Sequence, residues 1–197
     1  MKKINALLSN QQHPDDFLKS FAELPDELLI FPSWLPRFKY FTEKTPKQID
    51  TVIDFPLGNG TLAKKSFELA QACEQGIETA YVMVTPRFLQ IEDFTQLAEE
   101  MNLLQGVSAG RCLLSFLIDL SQLKEGAKLD FADWLKTQTF HNLTFFINEE
   151  LTENDLAIFH FAIGETVNLQ LLGDVSKLTD PEILERYEIA AIISDLA

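Results

Sequence analysis

The sequence predicts a parallel α/β fold, a compact (β/α)8 TIM barrel, and three observations predict it. Short runs rich in Ile, Val, Leu and Phe recur along the chain, and each is followed by an amphipathic stretch with a helix-start signal. Eight such runs and seven intervening helical stretches can be counted, at about 20–30 residues per unit, the rhythm of parallel sheets. No Gly-, Ser- or Pro-rich linker interrupts them, so residues 1–197 read as a single domain. Barrels of this kind typically take about 250 residues, so the reading expects the helix after the last strand to be missing. A doubly wound open sheet is the alternative, because periodicity does not reveal closure.

The elements follow in order. Ile4–Leu8 is the first strand, and Pro14-Asp15-Asp16 opens a helix with proline in its first turn and acids facing the dipole. Leu28–Phe31 is the second strand, followed by a segment punctuated by Pro32 and Pro36 whose Leu35, Phe38 and Phe41 share a helical face. Thr51–Phe55 is the third. After the turn Pro56-Leu57-Gly58-Asn59-Gly60, Thr61 caps a helix reaching Gln75, with Gly76 ending it. Thr79–Val84 is the fourth strand, and Ile91–Leu104 a helix stopped by Gly106. Cys112–Ile118 is the fifth, before a loop and a helix starting at Asp130. Leu143–Ile147 is the sixth, and Thr152 heads a helix with Asp155 three residues on, a variant capping box. Leu169–Leu172 is the seventh, Asp180-Pro181-Glu182 starts a helix, and Ile189–Ile193 is the eighth strand.

Composition narrows the function classes. Thirty acidic groups against 16 basic ones give a formal charge of −14, which repels a phosphate backbone and excludes most nucleic-acid readers. Phe alone counts 16, too much apolar surface for a disordered chain. No apolar run reaches the roughly 18 residues of a membrane span, and Asn5, Ser9, Asn10 and Gln11 interrupt any signal-peptide core. Cys73 and Cys112 have neither metal-ligand spacing nor a redox motif, which suits a reducing cytosol. A cytoplasmic protein is expected, with no membrane, nucleic-acid, metal or cofactor partner.

Specific segments then carry a resemblance. Leu29-Ile30-Phe31-Pro32-Ser33-Trp34-Leu35-Pro36, Thr51-Val52-Ile53-Asp54-Phe55-Pro56-Leu57-Gly58 and the helix end Ala72-Cys73-Glu74-Gln75-Gly76-Ile77-Glu78 are similar, in order and spacing, to segments of the deoxyribose-phosphate aldolase family. Arg87-Phe88-Leu89 and Leu169-Gln170-Leu171-Leu172-Gly173-Asp174-Val175 continue the match. The resemblance implies a (β/α)8 barrel and a reversible aldol cleavage of 2-deoxyribose 5-phosphate through a Schiff base. That reaction takes a lysine whose neutral amine attacks a carbonyl, a second lysine beside it, and a carboxylate for proton transfer. In this chain the sixth-strand lysine position falls at Phe145 or Phe146, the seventh-strand lysine position reads Gln170, and the fourth-strand aspartate position reads Tyr81. Of the phosphate-binding glycines Gly173 remains, Asp174 replaces its neighbour, and the last strand ends Ser194-Asp195. The scaffold is carried over and the Schiff-base chemistry is not. The expected protein is a ligand-binding or protein-interaction module, with an active lyase on small (phospho)sugars using relocated residues as the alternative.

Residues at the C-terminal ends of barrel strands face the site. Here these are Ser9, Ser33, Asp54, Thr85, Asp119, Asn148, Glu149, Asp174 and Ser194. Asp54, Asp119 and Asp174 are the carboxylates to converge there for acid–base work or a divalent cation, and Lys177 is the lysine nearest a barrel mouth. Lys39, Lys64, Lys65, Lys124, Lys128 and Lys136 read as solvated. His13, His141 and His160 lack ligand-spaced partners and read as structural, while Phe145, Phe146, Phe159 and Phe161 fit core packing. Gly58-Asn59-Gly60 lacks the lysine of a P-loop and reads as a turn. The flank left by a missing last helix is expected to serve a homodimer or hetero-complex, with a solution mass above 22.4 kDa.

Overall fold

Eight parallel strands pair in sequence order and close on themselves, Lys2 of the first lying beside Ala191 of the last. The computed structural model describes residues 2–8, 13–147, 151–174 and 182–195. The strands are β1 (Lys2–Leu7), β2 (Glu27–Ile30), β3 (Gln48–Ile53), β4 (Thr79–Met83), β5 (Leu113–Ile118), β6 (Asn142–Phe146), β7 (Asn168–Leu172) and β8 (Ala191–Asp195). The helices are α1 (Pro14–Leu18), α2 (Leu35–Thr42), α3 (Leu62–Glu74), α4 (Pro86–Gln90), α5 (Phe94–Ser108), α6 (Ala127–Leu135), α7 (Glu153–Ile163) and α8 (Ile183–Arg186). The barrel is therefore closed, and the open-sheet alternative falls.

Alternation along each strand divides the core in two. One set points into the barrel, where Ile4, Ala6, Leu29, Val52, Tyr81, Met83, Leu117, Leu172 and Ile193 fill it with side chains. The other set, including Leu28, Ile30, Phe116 and Phe145, packs outward on Phe38, Leu69, Leu97, Phe131 and Phe159 of the helices. Both faces of the sheet are covered, which is why its strands read as near-continuous apolar runs.

The strands shift by a few residues at their ends, and several helix boundaries change. The helix predicted over Ile91–Leu104 starts at Phe94 as α5, where the Asp93 side chain accepts from Gln96 N–H, and the short helix α4, with Pro86 in its first turn, precedes it unpredicted. Gly106 does not stop α5, which continues to Ser108. A glycine costs a helix interior about 1 kcal/mol relative to alanine, and burial of Leu97, Met101 and Leu104 on the same helix outweighs that. The helix expected from Asp130 begins at Ala127, which is buried and extends the apolar face by a turn. By contrast Thr61 caps α3 through Lys64 N–H, and Thr152 with Asp155 forms the reciprocal box at the start of α7. The predicted start Asp180-Pro181 lies outside the described residues; α8 begins at Ile183.

Candidate functional site

The C-terminal ends of β1, β6, β7 and β8 surround a cavity of about 660 Å³. Its wall is apolar for the most part: Leu8, Phe55, Phe146, Ile147, Leu172 and Ile193 contribute, with Gly173, Asp174 and Ser194 at the rim. Phe55 and Phe146 meet across it edge-to-face, with ring centroids 5.7 Å apart. No described lining residue is a lysine.

Strand register separates the two phenylalanines of β6. Phe145 turns outward and stacks edge-on against Phe159 of α7 at 4.8 Å, fully buried. Phe146, one residue on, therefore points the other way, into the cavity. Below it, Thr144 shares the inward face and donates to Gln170 Oε1 at 3.3 Å, while its hydroxyl also meets Ser115 Oγ at 2.7 Å. A polar thread thus crosses β5, β6 and β7 beneath the apolar mouth. Tyr81 fills the barrel centre, 1% exposed, and burial raises its phenol well above the ordinary value.

The predicted carboxylates are placed apart. Asp54 sits at the end of β3 with φ 55° and turns toward α3. Its carboxylate accepts from Gly60 N–H at 2.6 Å and from Lys64 Nζ at 2.8 Å, so it ties down the loop that enters the helix. A β-carbon at Gly60 would stand 2.6 Å from Asp54 Oδ1, and one at Gly58 (φ 65°) 2.5 Å from Val84 O, so both glycines are required by close approach. Asp119 is engaged within its own turn, accepting from Ser121 N–H, Ser121 Oγ and Gln122 Nε2. Asp174 alone of the three lines the cavity. Lys177, Ser9, Asn148 and Glu149 lie outside the described residues. No group of three or more His, Cys, Asp or Glu side chains gathers as a metal site among the described residues.

Two lysines depart from the solvated reading. Lys65 is completely buried, its Nζ donating to Glu100 Oε1 (2.8 Å), Met83 O (2.8 Å) and Thr85 Oγ1 (2.9 Å). Three acceptors match the three N–H bonds of an ammonium, so its hydrogen-bonding capacity is spent inside the fold. Lys128 is buried against Asp155 and Glu125, at 2.7 Å from each. The signal was present in the sequence: Lys65 falls on the stripe of Leu69 and Ala72, and Glu100 on that of Leu97, Met101 and Leu104. The phenylalanine reading also divides, since Phe159 is core but Phe161 is 87% exposed. His13 caps α1, accepting from Asp15 N–H, and His160 lies edge-on to Tyr187.

Known proteins share this architecture. The sequence is 24% identical over 163 residues to the deoxyribose-phosphate aldolase of Geobacillus sp. (strain WCH70), covering 79% of this chain and 71% of that protein. Against the deoxyribose-phosphate aldolase of Halalkalibacterium halodurans the identity is 24% over 193 residues, covering 91% and 84%. The fold superposes on that of QR15, an aldolase, with a TM-score of 0.79 at 14% identity, covering 97% of this chain and 88% of that one. The chain is similar to deoxyribose-phosphate aldolases in sequence and to aldolases in fold. No protein-family model matches it.

The residues that the sequence reading set at the family's catalytic positions, Phe146, Gln170 and Tyr81, face the barrel interior. Phe146 is the cavity-facing residue where the sixth-strand lysine is expected, and Phe145 is excluded because it faces α7. Gln170, read at the seventh-strand position, accepts a hydrogen bond from Thr144. Tyr81, read at the fourth-strand position, lies inside the barrel.

Proposed function

We propose that this aldolase-like chain is a binding barrel that holds a small molecule at its mouth without Schiff-base catalysis. One observation carries the reading: the inward position of β6 is Phe146, packed on Phe55 in the cavity wall, where an imine-forming amine would have to stand. A benzyl group has no nucleophilic atom. Gln170 and Tyr81 support the same reading, since an amide does not form an imine and a buried phenol held protonated is a poor proton acceptor. The cavity, about 660 Å³, falls within the range of small-molecule sites, roughly 300–1,000 Å³. Its apolar wall suits a ligand with an apolar body, with Asp174 and Ser194 offering polar contacts at the rim.

The second reading, a lyase with relocated residues, draws on Asp174, which lines the cavity, and on Lys177 three residues later. One experiment separates the two. The protein is incubated with 2-deoxyribose 5-phosphate and borohydride, intact mass is measured, and acetaldehyde release is followed in parallel. The binding-barrel reading expects no release and no reduced adduct. An adduct mapped to Lys177 and lost in Lys177→Ala, together with release of acetaldehyde, would establish the lyase instead.

A further inference from the structure

Cys73 and Cys112 are 39 positions apart in sequence, yet their sulfurs stand 2.7 Å from each other. Cys73 is in the last turn of α3, and Cys112 immediately precedes β5. The pair therefore joins a helix to a strand at the end of the barrel where strands begin, opposite the cavity. The backbone is held on both sides: Gly76 N–H donates to Cys73 O, and Cys112 N–H to Ser108 O. Arg111 reinforces the junction, its guanidinium reaching Ala70 O at 3.4 Å and lying 3.6 Å from the Glu74 carboxylate. Both cysteines are free thiols.

We propose that Cys73 and Cys112 form a reversible intramolecular disulfide that fastens α3 to β5, with a small-molecule disulfide of the glutathione class as oxidant. Bonded sulfurs lie about 2.05 Å apart, so closure takes a movement of less than an ångström between the two sulfurs. The closed loop would contain β4, α4 and α5. A metal is the other use of paired thiols, but no third ligand joins them among the described residues.

The chemistry is thiol–disulfide exchange. Cys112 is only half-buried, so it is the thiol a solute reaches, whereas Cys73 is buried. Cys112 loses its proton, and the thiolate attacks one sulfur of oxidised glutathione, whose S–S bond breaks. The first glutathione leaves as a thiolate and takes up a proton. Cys73, deprotonated in turn, attacks the Cys112 sulfur of the mixed disulfide and expels the second glutathione, which is also protonated. Two protein thiols have then given up two electrons and two protons, and the glutathione disulfide has received both. Burial and the adjacent Cys73 thiol push the Cys112 thiol up to about 12, so exchange is slow at neutral pH and faster as pH rises.

The test uses the full chain, equilibrated with oxidised glutathione at mildly alkaline pH and then quenched with acid. The expected product has lost two hydrogens by intact mass and titrates no thiols. It yields a Cys73–Cys112 cross-linked peptide under non-reducing digestion, and dithiothreitol restores both thiols. Cys73→Ser is expected to stop at a glutathione adduct on Cys112, while Cys112→Ser takes up no adduct at the same rate. Two titratable thiols persisting at equilibrium, a stable glutathione adduct on the wild-type chain, or cross-links between chains would each overturn the proposal.

Discussion

Lys65 of α3 and Glu100 of α5 meet at 2.8 Å with both side chains shielded from water. Glu100 also accepts from Thr85 N–H and Thr85 Oγ1, and Lys65 donates to Met83 O, so the pair pins the end of β4 between two helices. Satisfied in this way, the buried charges are tolerated; stripped of one partner, they are not. Lys65→Met is expected to lower stability by about 3–5 kcal/mol in urea unfolding. Lys65→Met/Glu100→Leu is expected to cost less than the sum of the two single changes. A Lys65→Met midpoint equal to wild type would remove the pair from any structural account.

Gly60 owes its identity to Asp54. An added β-carbon would stand 2.6 Å from Asp54 Oδ1 and 2.8 Å from Oδ2, while Gly60 N–H already donates to that carboxylate. Gly60→Ala is expected to cost about 1–3 kcal/mol, the usual scale of forced overpacking. In an Asp54→Ala background the clash disappears and the same change is expected to cost much less. Equal costs in both backgrounds would contradict this contact.

Asp50 makes stability depend on pH in an unusual direction. It is fully buried on the face of β3 that carries Val52, and burial raises its carboxyl to about 6 from 3.8. Thr79 N–H, Gln48 and Lys2 pull the value down, and Glu78 pushes it up, but burial prevails. The folded protein then holds this proton more tightly than the unfolded chain. Its contribution to stability is full below about pH 4 and is lost as pH rises through about 6, a change on the order of 3 kcal/mol at about 1.4 kcal/mol per pKa unit. Between acid and neutral pH, Asp50→Asn is expected to gain stability relative to wild type by up to that amount. A constant difference between the two proteins across this interval would refute the assignment.

Phe146 can be used to test what the mouth lacks. Phe146→Lys would place an amine among Leu8, Phe55, Leu172 and Ile193, surroundings that favour the neutral, nucleophilic form. With acetaldehyde and borohydride, the variant is expected to carry a reduced adduct on the introduced amine, and wild type none on the peptide that contains Phe146. Failure of a folded variant to trap any aldehyde would show that this position does not face the cavity.

Local signals in the sequence revealed the strands, most helix starts and the caps at Thr61 and Thr152, because these depend on residues within a turn of one another. The start of α5 was read three residues early because the apolar pattern runs across Asp93, whose role as a cap depends on its side-chain geometry. The candidate site was legible in part. Gln170 and Tyr81 were found at the inward positions of the barrel, but Asp54 and Asp119 are occupied by loop and turn contacts that strand-end position does not reveal.

The sequence by itself determined the βα rhythm, the acidic charge and the likeness to an aldolase scaffold, all of them properties of neighbouring residues or of ordered segments. Tertiary structure decided closure, because only the pairing of β1 with β8 removes the sheet edges. It also decided that Phe146, and not Phe145, faces the cavity, since a one-residue step reverses the side of a strand and the packing of α7 fixes which residue steps out. Contacts made across tens of residues had the same character: Lys65 with Glu100 and Cys73 with Cys112 are distant in the chain, and the barrel alone brings them within bonding distance.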